Sequence, residues 1–422
     1  MKKYKFTFID LFSGIGGFHQ AMRFLGGKCV MASEINQACI ETYKLNFKDT
    51  EIRGDIRKID PDSIPKFDVL CAGFPCQSFS KAGKQKGFED ETRGDLFSYI
   101  MKILDSHPEA KFVILENVRN LADKTKHWRI IKEELTKRDF YITEEPIIVS
   151  PSDLGLPQVR ERVYILGIKK SIPNQRILTN GCIHYEDINI EGYKKRCKLG
   201  DAWKVLESDV ADSYCISEQD TRMINAWNEF KIGINKKTIG FPIWLDSMGV
   251  GIDDDDDYKI KINYKKMKDW KKRIVDNNRS LYLENREFVD EWINRYAMMN
   301  NKSKLYKKFE WNCGEDCEDI KETIIQIRQS GIRAKRPTYF PSLVAIVNTP
   351  IIWDINKQRY RHITPREAAN LQNFDKRYKF IGTDNQIYKQ LGNSVNVKVL
   401  KRIGKNLFKL GKEGWDENGK ND

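Results

Sequence analysis

The stretch Phe6-Thr7-Phe8-Ile9-Asp10-Leu11-Phe12-Ser13-Gly14-Ile15-Gly16-Gly17-Phe18 decides the fold. Its first half is β-rich and closes on an acidic residue. Its second half is a glycine turn, and His19 to Leu25 continues at helical period up to Gly26-Gly27. Strand, glycine turn and helix in that order form a connection in which the backbone can approach a ligand and a helix N-terminus faces it. The spacing is G-x-G-G and not the G-x-G-x-x-G dinucleotide fingerprint, so the turn alone is also compatible with an ordinary strand-to-helix link. Lys28 to Ser33 reads as the next strand and delivers Glu34, a position from which a carboxylate can accept bonds from both hydroxyls of a ribose. The structural alternative is a carboxylate at the helix start near Asn36. Ile35 to Asn46 is helical by period, and Gly54-Asp55-Ile56-Arg57 lies in a turn region before Pro61 and Pro65. Asp55 either accepts from an adenine amino group or caps the turn.

A second decisive stretch is Gly73-Phe74-Pro75-Cys76-Gln77-Ser78-Phe79-Ser80. The preceding Phe67 to Ala72 reads as a short buried strand, and the break at Gly73 and Pro75 puts Cys76 just past its end. In an open α/β sheet that is the crevice where ligands bind. A thiol there is either a nucleophile, if its surroundings favour the thiolate, or a small buried apolar group. Lys81 to Gly94 is rich in Gly and Lys and has no period, which suits a lid with phosphate-facing lysines or a plain solvated loop. Asp95 to Asp105 is a helix. Lys111 to Leu115 is a continuous apolar strand ending in Glu116-Asn117-Val118, and a carboxylate at the end of a buried strand is costly unless partnered or functional. Tyr141 to Val149 reads as another strand. In Gln158-Val159-Arg160-Glu161-Arg162, a period of two puts Gln158, Arg160 and Arg162 on one face, which suggests contact with an anion or a base.

The 422 residues are enough for two domains, and the 40% hydrophobic content suits a globular chain. No apolar run reaches membrane-span length and the start lacks a signal-peptide core, so a cytoplasmic protein without a membrane partner is expected. Nine scattered cysteines match reduced intracellular usage and exclude a disulfide framework. Cys313 and Cys317 form the close pair, and without two further ligands nearby no metal is expected there. The net charge of +13 favours a polyanion partner. From about 171 the periodicity weakens. Asp253 to Asp257 reads as a solvated loop, Lys259 to Arg273 interleaves basic residues with Tyr264 and Trp270, and Gly331 to Phe340 is a basic, aromatic patch. Leu343 to Val347 reads as a strand. Thr364, Pro365 and Glu367 form an N-cap, a first-turn proline and a capping box, while Gln390 to Val397 begins a last helix running to about Leu410. The domains expected are 1–170, 171–383 and a returning helix in 384–422.

Taken together, Asp10 to Phe18, Glu34, Gly54 to Arg57, Gly73 to Ser80, Glu116 to Val118, Gln158 to Arg162, Arg361 to Gln372 and Gln390 to Val395 resemble the bacterial type of the DNA (cytosine-5)-methyltransferase family, block by block and in order. The resemblance covers the first 170 residues and the last sixty or so. It implies an α/β, Rossmann-like methyltransferase sheet, with a second, smaller and irregular target-recognition domain in the middle region. It implies a sequence-specific enzyme that flips cytosine out of double-stranded DNA and uses S-adenosyl-L-methionine as cofactor. In the catalytic set, Cys76 would add to carbon 6, Glu116 would bond ring nitrogen 3 and the amino group, and Arg162 would hold the base oxygen, with Asn117, Arg160 and Gln158 beside them. Phe12, Ser13, Gly14, Ile15, Gly16, Gly17, Glu34, Asp55, Ile56, Pro75, Leu96, Asn393 and Ser394 would surround the cofactor. Gln77, Ser80, Lys84, Arg93, Arg333, Lys335 and Arg336 are candidate DNA contacts. The Thr-Leu pair common near the end of family recognition regions is Ser342-Leu343 here, which leaves base reading unassigned. A monomer is expected, because asymmetric wrapping of one duplex needs only one chain, and the usual setting of stand-alone family members implies a cognate restriction endonuclease as genetic partner. Two other readings stand beside it: the same chemistry on tRNA, and a catalytically silent DNA-binding module.

Overall fold

A computed structural model describes residues 4–75, 96–123, 125–172, 181–188, 196–234, 236, 238–299, 305–343 and 349–411. The chain divides into two compact units. The first comprises Met1–Cys197, Pro341–Val347 and Ala368–Asp422, and the second Lys198–Phe340 and Asn348–Glu367. The changeovers thus fall at 197/198, 340/341, 347/348 and 367/368, against 171 and 383 expected from sequence texture.

Among the described residues, the first unit is built on an eight-stranded sheet. Its strands are β1 (Phe6–Leu11), β2 (Gly27–Ser33), β3 (Ile52–Arg53), β4 (Val69–Gly73), β5 (Phe112–Val118), β6 (Phe140–Ile142), β7 (Ile147–Val149) and β8 (Arg162–Lys169). The order is β3-β2-β1-β4-β5-β8-β6, with β7 also paired to β8. β1 to β5 are parallel, and Val69–Ala72 and Phe112–Leu115 are buried on both faces. That explains why these strands read as continuous apolar runs rather than alternating ones. The chain steps from β1 to β2 on one side and to β4 on the other, which opens a crevice at the carboxyl ends of β1 and β4. The helix Val397–Leu410 covers the sheet with Val399, Leu400, Ile403, Leu407 and Phe408. Phe408 meets Phe6 and Phe112 edge-on at 4.9 and 5.0 Å between ring centres.

Three local expectations change. Tyr141 to Val149 is two short strands, β6 and β7, both antiparallel to β8, with Pro146 between them. Proline lacks the N–H that a continuous ladder needs. Gln390 to Val397 does not open the last helix: a helix over Asp384–Asn393 ends there, the chain extends at Ser394, and Asn396 caps Val397–Leu410 by accepting from Val399 N at 3.1 Å. Asp253 to Asp257 is not a loop: Asp254 accepts from Asp256 N at 2.8 Å and starts the helix Asp255–Lys261. Carboxylates are stabilised at that positive helix end, and Arg279 and Arg286 neutralise Asp255 and Asp253. The expected strand Leu343 to Val347 lies largely outside the described residues, as does the tail beyond 411.

The second unit's weak periodicity conceals a sheet of order β14-β13-β11-β12-β10-β9 among its described residues. The strands are β9 (Ile243–Trp244), β10 (Lys308–Asn312), β11 (Ile324–Arg328), β12 (Gly331–Lys335), β13 (Ile351–Asp354) and β14 (Arg359–His362). The core beneath is aromatic. Trp227 stacks on Phe309 at 4.9 Å, and the indole N–H groups of Trp227 and Trp292 donate to Tyr306 O and Ala226 O. Buried indoles need such acceptors. The expected capping box is present, with Glu367 N donating to Thr364 Oγ1 at 3.1 Å and Thr364 N to Glu367 Oε2 at 2.7 Å. Arg361 lies between Asp354 and Glu367, at 3.0 and 2.8 Å, with all three side chains at most 8% exposed.

Arg361→Met leaves two buried carboxylates facing each other without a cation. We expect a loss of about 3–5 kcal/mol of stability, read as a lowered denaturant midpoint for the transition that carries the tryptophan fluorescence of this unit. An unchanged midpoint contradicts a structural role for the trio.

Candidate active site

Because β8 runs antiparallel to β5, its first residue meets the last residue of β5: Val118 pairs with Arg162 and Glu116 with Tyr164. Arg162 Nε lies 3.2 Å from Glu116 Oε1 and forms an ion pair with it. Glu116 is 8% exposed. Burial pushes its carboxyl up, against the opposing pull of Arg162 and then Arg160. A carboxyl poised towards its neutral form can donate a hydrogen bond to a ring nitrogen as well as accept one.

The residues flanking these two serve the backbone. Asn117 Nδ2 donates to Phe74 O at 3.1 Å, which ties β5 to the residue two before position 76. Arg160 is fully buried, and its two terminal nitrogens reach four acceptors: Ser342 Oγ, Leu343 O, Gly392 O and Ser394 O, at 2.7–3.2 Å. That guanidinium is therefore engaged by the protein and knits the approach to β8 to the Asn393-Ser394 bend. Gln158 is wholly buried with neither amide atom bonded to another described residue, and its own carbonyl accepts from Ser150 Oγ at 3.4 Å. Cys76 and Gln77, Ser80, Lys84 and Arg93 lie outside the described residues. Pro75, the last described residue before Cys76, is exposed at the end of β4.

The glycine turn sits at the carboxyl end of β1. Phe12 and Gly14 take left-handed φ of 57° and 53°, and a Cβ built at Gly14 meets no atom within 4 Å, so the backbone there borders open space. Gly16, at φ 80°, is required on packing grounds too: a Cβ would come within 2.4 Å of the Phe47 ring. Glu34 locks this turn to the end of β2, accepting from Gly14 N at 2.8 Å through Oε2 and from Ile35 N and Asn36 N through Oε1. Asp55 caps the 3-10 turn Ile56–Lys58 and grips Arg57, so the turn-capping alternative is realised. Ile56 is buried behind it, Ser13, Ile15, Gly17 and Ser394 are buried, Leu96 opens the helix Leu96–Ser106, and Asn393 is exposed.

The site contains a residue that the sequence reading left out of the site. Asp10 is fully buried at the end of β1, with Oδ2 accepting from His19 N at 3.2 Å and Oδ1 without a hydrogen-bond partner among the described residues. Burial is the main cause of its strongly raised carboxyl, with Glu34 adding repulsion. Its position at the end of a buried strand was the available signal, the same one that marks Glu116. Behind the turn, His19 Nδ1 meets Tyr43 OH at 2.7 Å, and Tyr378 OH donates to Ile15 O. Glu34 and Asp55 place carboxylates at this end of the sheet, which suits a ligand with amino and hydroxyl groups. S-adenosylmethionine carries both and no phosphate, so the residues present fit it.

In the second unit, Arg333 pairs with Glu310 at 2.5 Å and Arg336 with Asp316 at 2.6 Å, while burial pulls the Lys335 ammonium down. Cys313 and Cys317 are buried, and among the described residues they belong to no three-donor metal cluster. No helix of the described residues is long and apolar enough to cross a membrane.

The chain is similar to known proteins along nearly its whole length. The family model described as C-5 cytosine-specific DNA methylase matches residues 6–409. The chain is 31% identical over 483 aligned residues to the Type II methyltransferase M.AluI of Cellulosimicrobium cellulans, covering 94% of this chain and 91% of that one. It is 34% identical over 412 to the Type II methyltransferase M.HpaII of Haemophilus parainfluenzae, covering 96% and 90%. Among solved structures, the fold is similar to a Spodoptera frugiperda DNMT2 mutant (TM-score 0.57, 18% identity, 95% and 99% covered) and to a putative DNA modification methyltransferase from an Escherichia coli prophage (0.56, 21%, 96% and 99%). With a match across nearly its whole length, the chain belongs to the C-5 cytosine-specific DNA methylase family and is an S-adenosylmethionine-dependent DNA (cytosine-5)-methyltransferase.

Proposed function

We propose that the enzyme methylates one cytosine within a short, specific sequence of double-stranded DNA, after turning that base out of the helix. The observation that carries this reading is the pairing of Glu116 with Arg162 at the carboxyl end of β5, one strand from the Gly73-Phe74-Pro75 exit that leads into Cys76. A stacked base cannot be reached, so extrusion, at a cost of a few kcal/mol, precedes chemistry. The Cys76 thiolate then adds to carbon 6, and the displaced ring electrons make carbon 5 an enamine carbon. Glu116 bonds ring nitrogen 3 and the amino group where charge develops, and Arg162 holds both the base oxygen and Glu116. S-adenosylmethionine, when bound, supplies the electrophilic methyl that carbon 5 accepts. Loss of the carbon 5 proton and expulsion of Cys76 restore the aromatic ring.

Phe12 to Gly17, Ile56, Pro75, Leu96 and Asn393-Ser394 would line the cofactor site, with Glu34 on its ribose and Asp55 near its adenine. Asn117, Arg160 and Gln158 position rather than touch the base: two of them are bonded to backbone or buried acceptors. Gln77, Ser80, Lys84 and Arg93, with Arg333, Lys335 and Arg336 from the proposed target-recognition domain, would meet DNA. The Type II names of the relatives support pairing with a cognate restriction endonuclease, and a monomer in the cytoplasm completes the reading.

Cys76→Ser abolishes methyl transfer from labelled cofactor to duplex DNA, and the wild type forms a covalent adduct on duplexes carrying 5-fluorocytosine. Retained transfer in the variant, or an active enzyme that leaves no adduct, removes the thiol mechanism. Transfer to tRNA with none to DNA would replace the substrate, and DNA binding without any turnover would favour a silent module.

Glu116→Gln lowers kcat by about 10²–10⁴-fold. In the wild type the raised Glu116 carboxyl must stay protonated to donate, so kcat falls as pH rises through its titration. The check is a pH profile in which the Gln variant lacks this limb. Arg160→Lys strands at least two buried carbonyls beside Asn393-Ser394, and KM for the cofactor rises by about tenfold or more while kcat changes less. Equal losses in both would place Arg160 on the base instead.

A further inference from the structure

Outside the methyl-transfer site, one edge of the sheet gathers sulfur, nitrogen and oxygen donors. Ile183 lies along the outer side of β6: Ile183 N donates to Ile142 O at 3.0 Å, Glu144 N donates to Ile183 O at 2.9 Å, and Thr143 and Ile183 form a parallel bridge. Ile183 and Thr143 are buried, so period two turns Cys182, His184 and Glu144 the other way, onto one accessible face. There Cys182 Sγ is 3.7 Å from His184 Nε2, and His184 Nδ1 is 2.8 Å from Glu144 Oε2. One ligand atom from each of the three lies within 4.8 Å of the others. Main-chain bonds fix the donors further, from His184 N to Asp187 Oδ2 at 3.0 Å and from Lys132 Nζ to Glu144 O at 3.2 Å.

We propose that Cys182 and His184 bind a borderline divalent transition-metal ion, zinc by preference, with Glu144 holding the imidazole in place. Zinc at ~2.3 Å from a thiolate and ~2.0 Å from an imidazole nitrogen sets these two atoms about 3.5 Å apart at a tetrahedral angle. The observed separation therefore needs only a small adjustment. The carboxylate at Nδ1 keeps the proton there and leaves the Nε2 lone pair for the metal, an arrangement that metal-ligating histidines use widely. Thiolate with imidazole selects zinc or cobalt over magnesium and calcium, which prefer oxygen. Two protein ligands leave positions for water, so the ion is exchangeable and acts by pinning the 181–184 segment to β6.

The test titrates the full-length, metal-stripped enzyme with Co²⁺ and reads the thiolate-to-cobalt charge-transfer absorption, with thermal unfolding alongside. The expected result is a band saturating at one equivalent, lost in Cys182→Ser and requiring at least tenfold more cobalt in His184→Ala. Glu144→Gln should keep the band but weaken binding by about 10–100-fold. The Cys313→Ser, Cys317→Ser double variant should keep it unchanged. Zn²⁺ should displace the band and raise the unfolding temperature in the wild type but not in Cys182→Ser. Absence of the band, or a band that survives Cys182→Ser, overturns the proposal. So does unusually fast iodoacetamide labelling of Cys182 without cobalt binding, which would make the thiol–imidazole pair a nucleophile instead.

Discussion

A carboxylate and a guanidinium are brought together at the carboxyl edge of a parallel sheet because one strand, β8, runs the wrong way. In an all-parallel sheet the residue beside the end of β5 would itself be a strand end, with its side chains belonging to the loop beyond. Antiparallel pairing instead places the start of β8 there, so Arg162 is held by ladder hydrogen bonds rather than by a loop. Glu116 is buried at a cost that its own pull towards neutrality shows, and Arg162 offsets part of it. The pair is thus a preorganised element whose geometry comes from register.

Much of what surrounds that pair is side chain bonded to backbone. Asn117 reaches Phe74, Arg160 reaches the 342–343 and 392–394 segments, and Glu34 holds Gly14, Ile35 and Asn36. The bonds from Asn117, from Arg160 and from Glu34 to Gly14 each end on a distant segment, while those from Glu34 to Ile35 and Asn36 fix the local chain. A site assembled from five strand ends needs such ties, since a misplacement of about 1 Å is enough to cost a large factor in rate. This also explains why charged residues such as Arg160 sit in the interior: a guanidinium can satisfy four acceptors in a plane, which no lysine can.

The second unit uses a different economy. Its core is stabilised by indoles and phenyl rings that are packed and hydrogen-bonded, and its cations at Arg333 and Arg336 already have carboxylate partners. The Arg336–Asp316 pair is exposed, and pairs of that kind contribute little to stability, whereas Arg333–Glu310 is half-buried.

The features legible in the sequence were local ones. The β1 turn with its glycines, the acidic residue after β2, the carboxylate closing an apolar strand and the Thr364–Glu367 box all follow from interactions within a few residues, where propensity, sterics and capping act. The same locality explains the misreadings: Asp254 as a helix cap and the break at Ser394 depend on single side chains that a periodicity count does not resolve. Only the tertiary structure decided that β8 is antiparallel, that Arg160 serves distant carbonyls, that Asp10 is a buried half-satisfied carboxylate, and that Cys182, His184 and Glu144 share one face. Strand order and register are chosen by which apolar faces bury together across long stretches of chain, and no short segment carries that information.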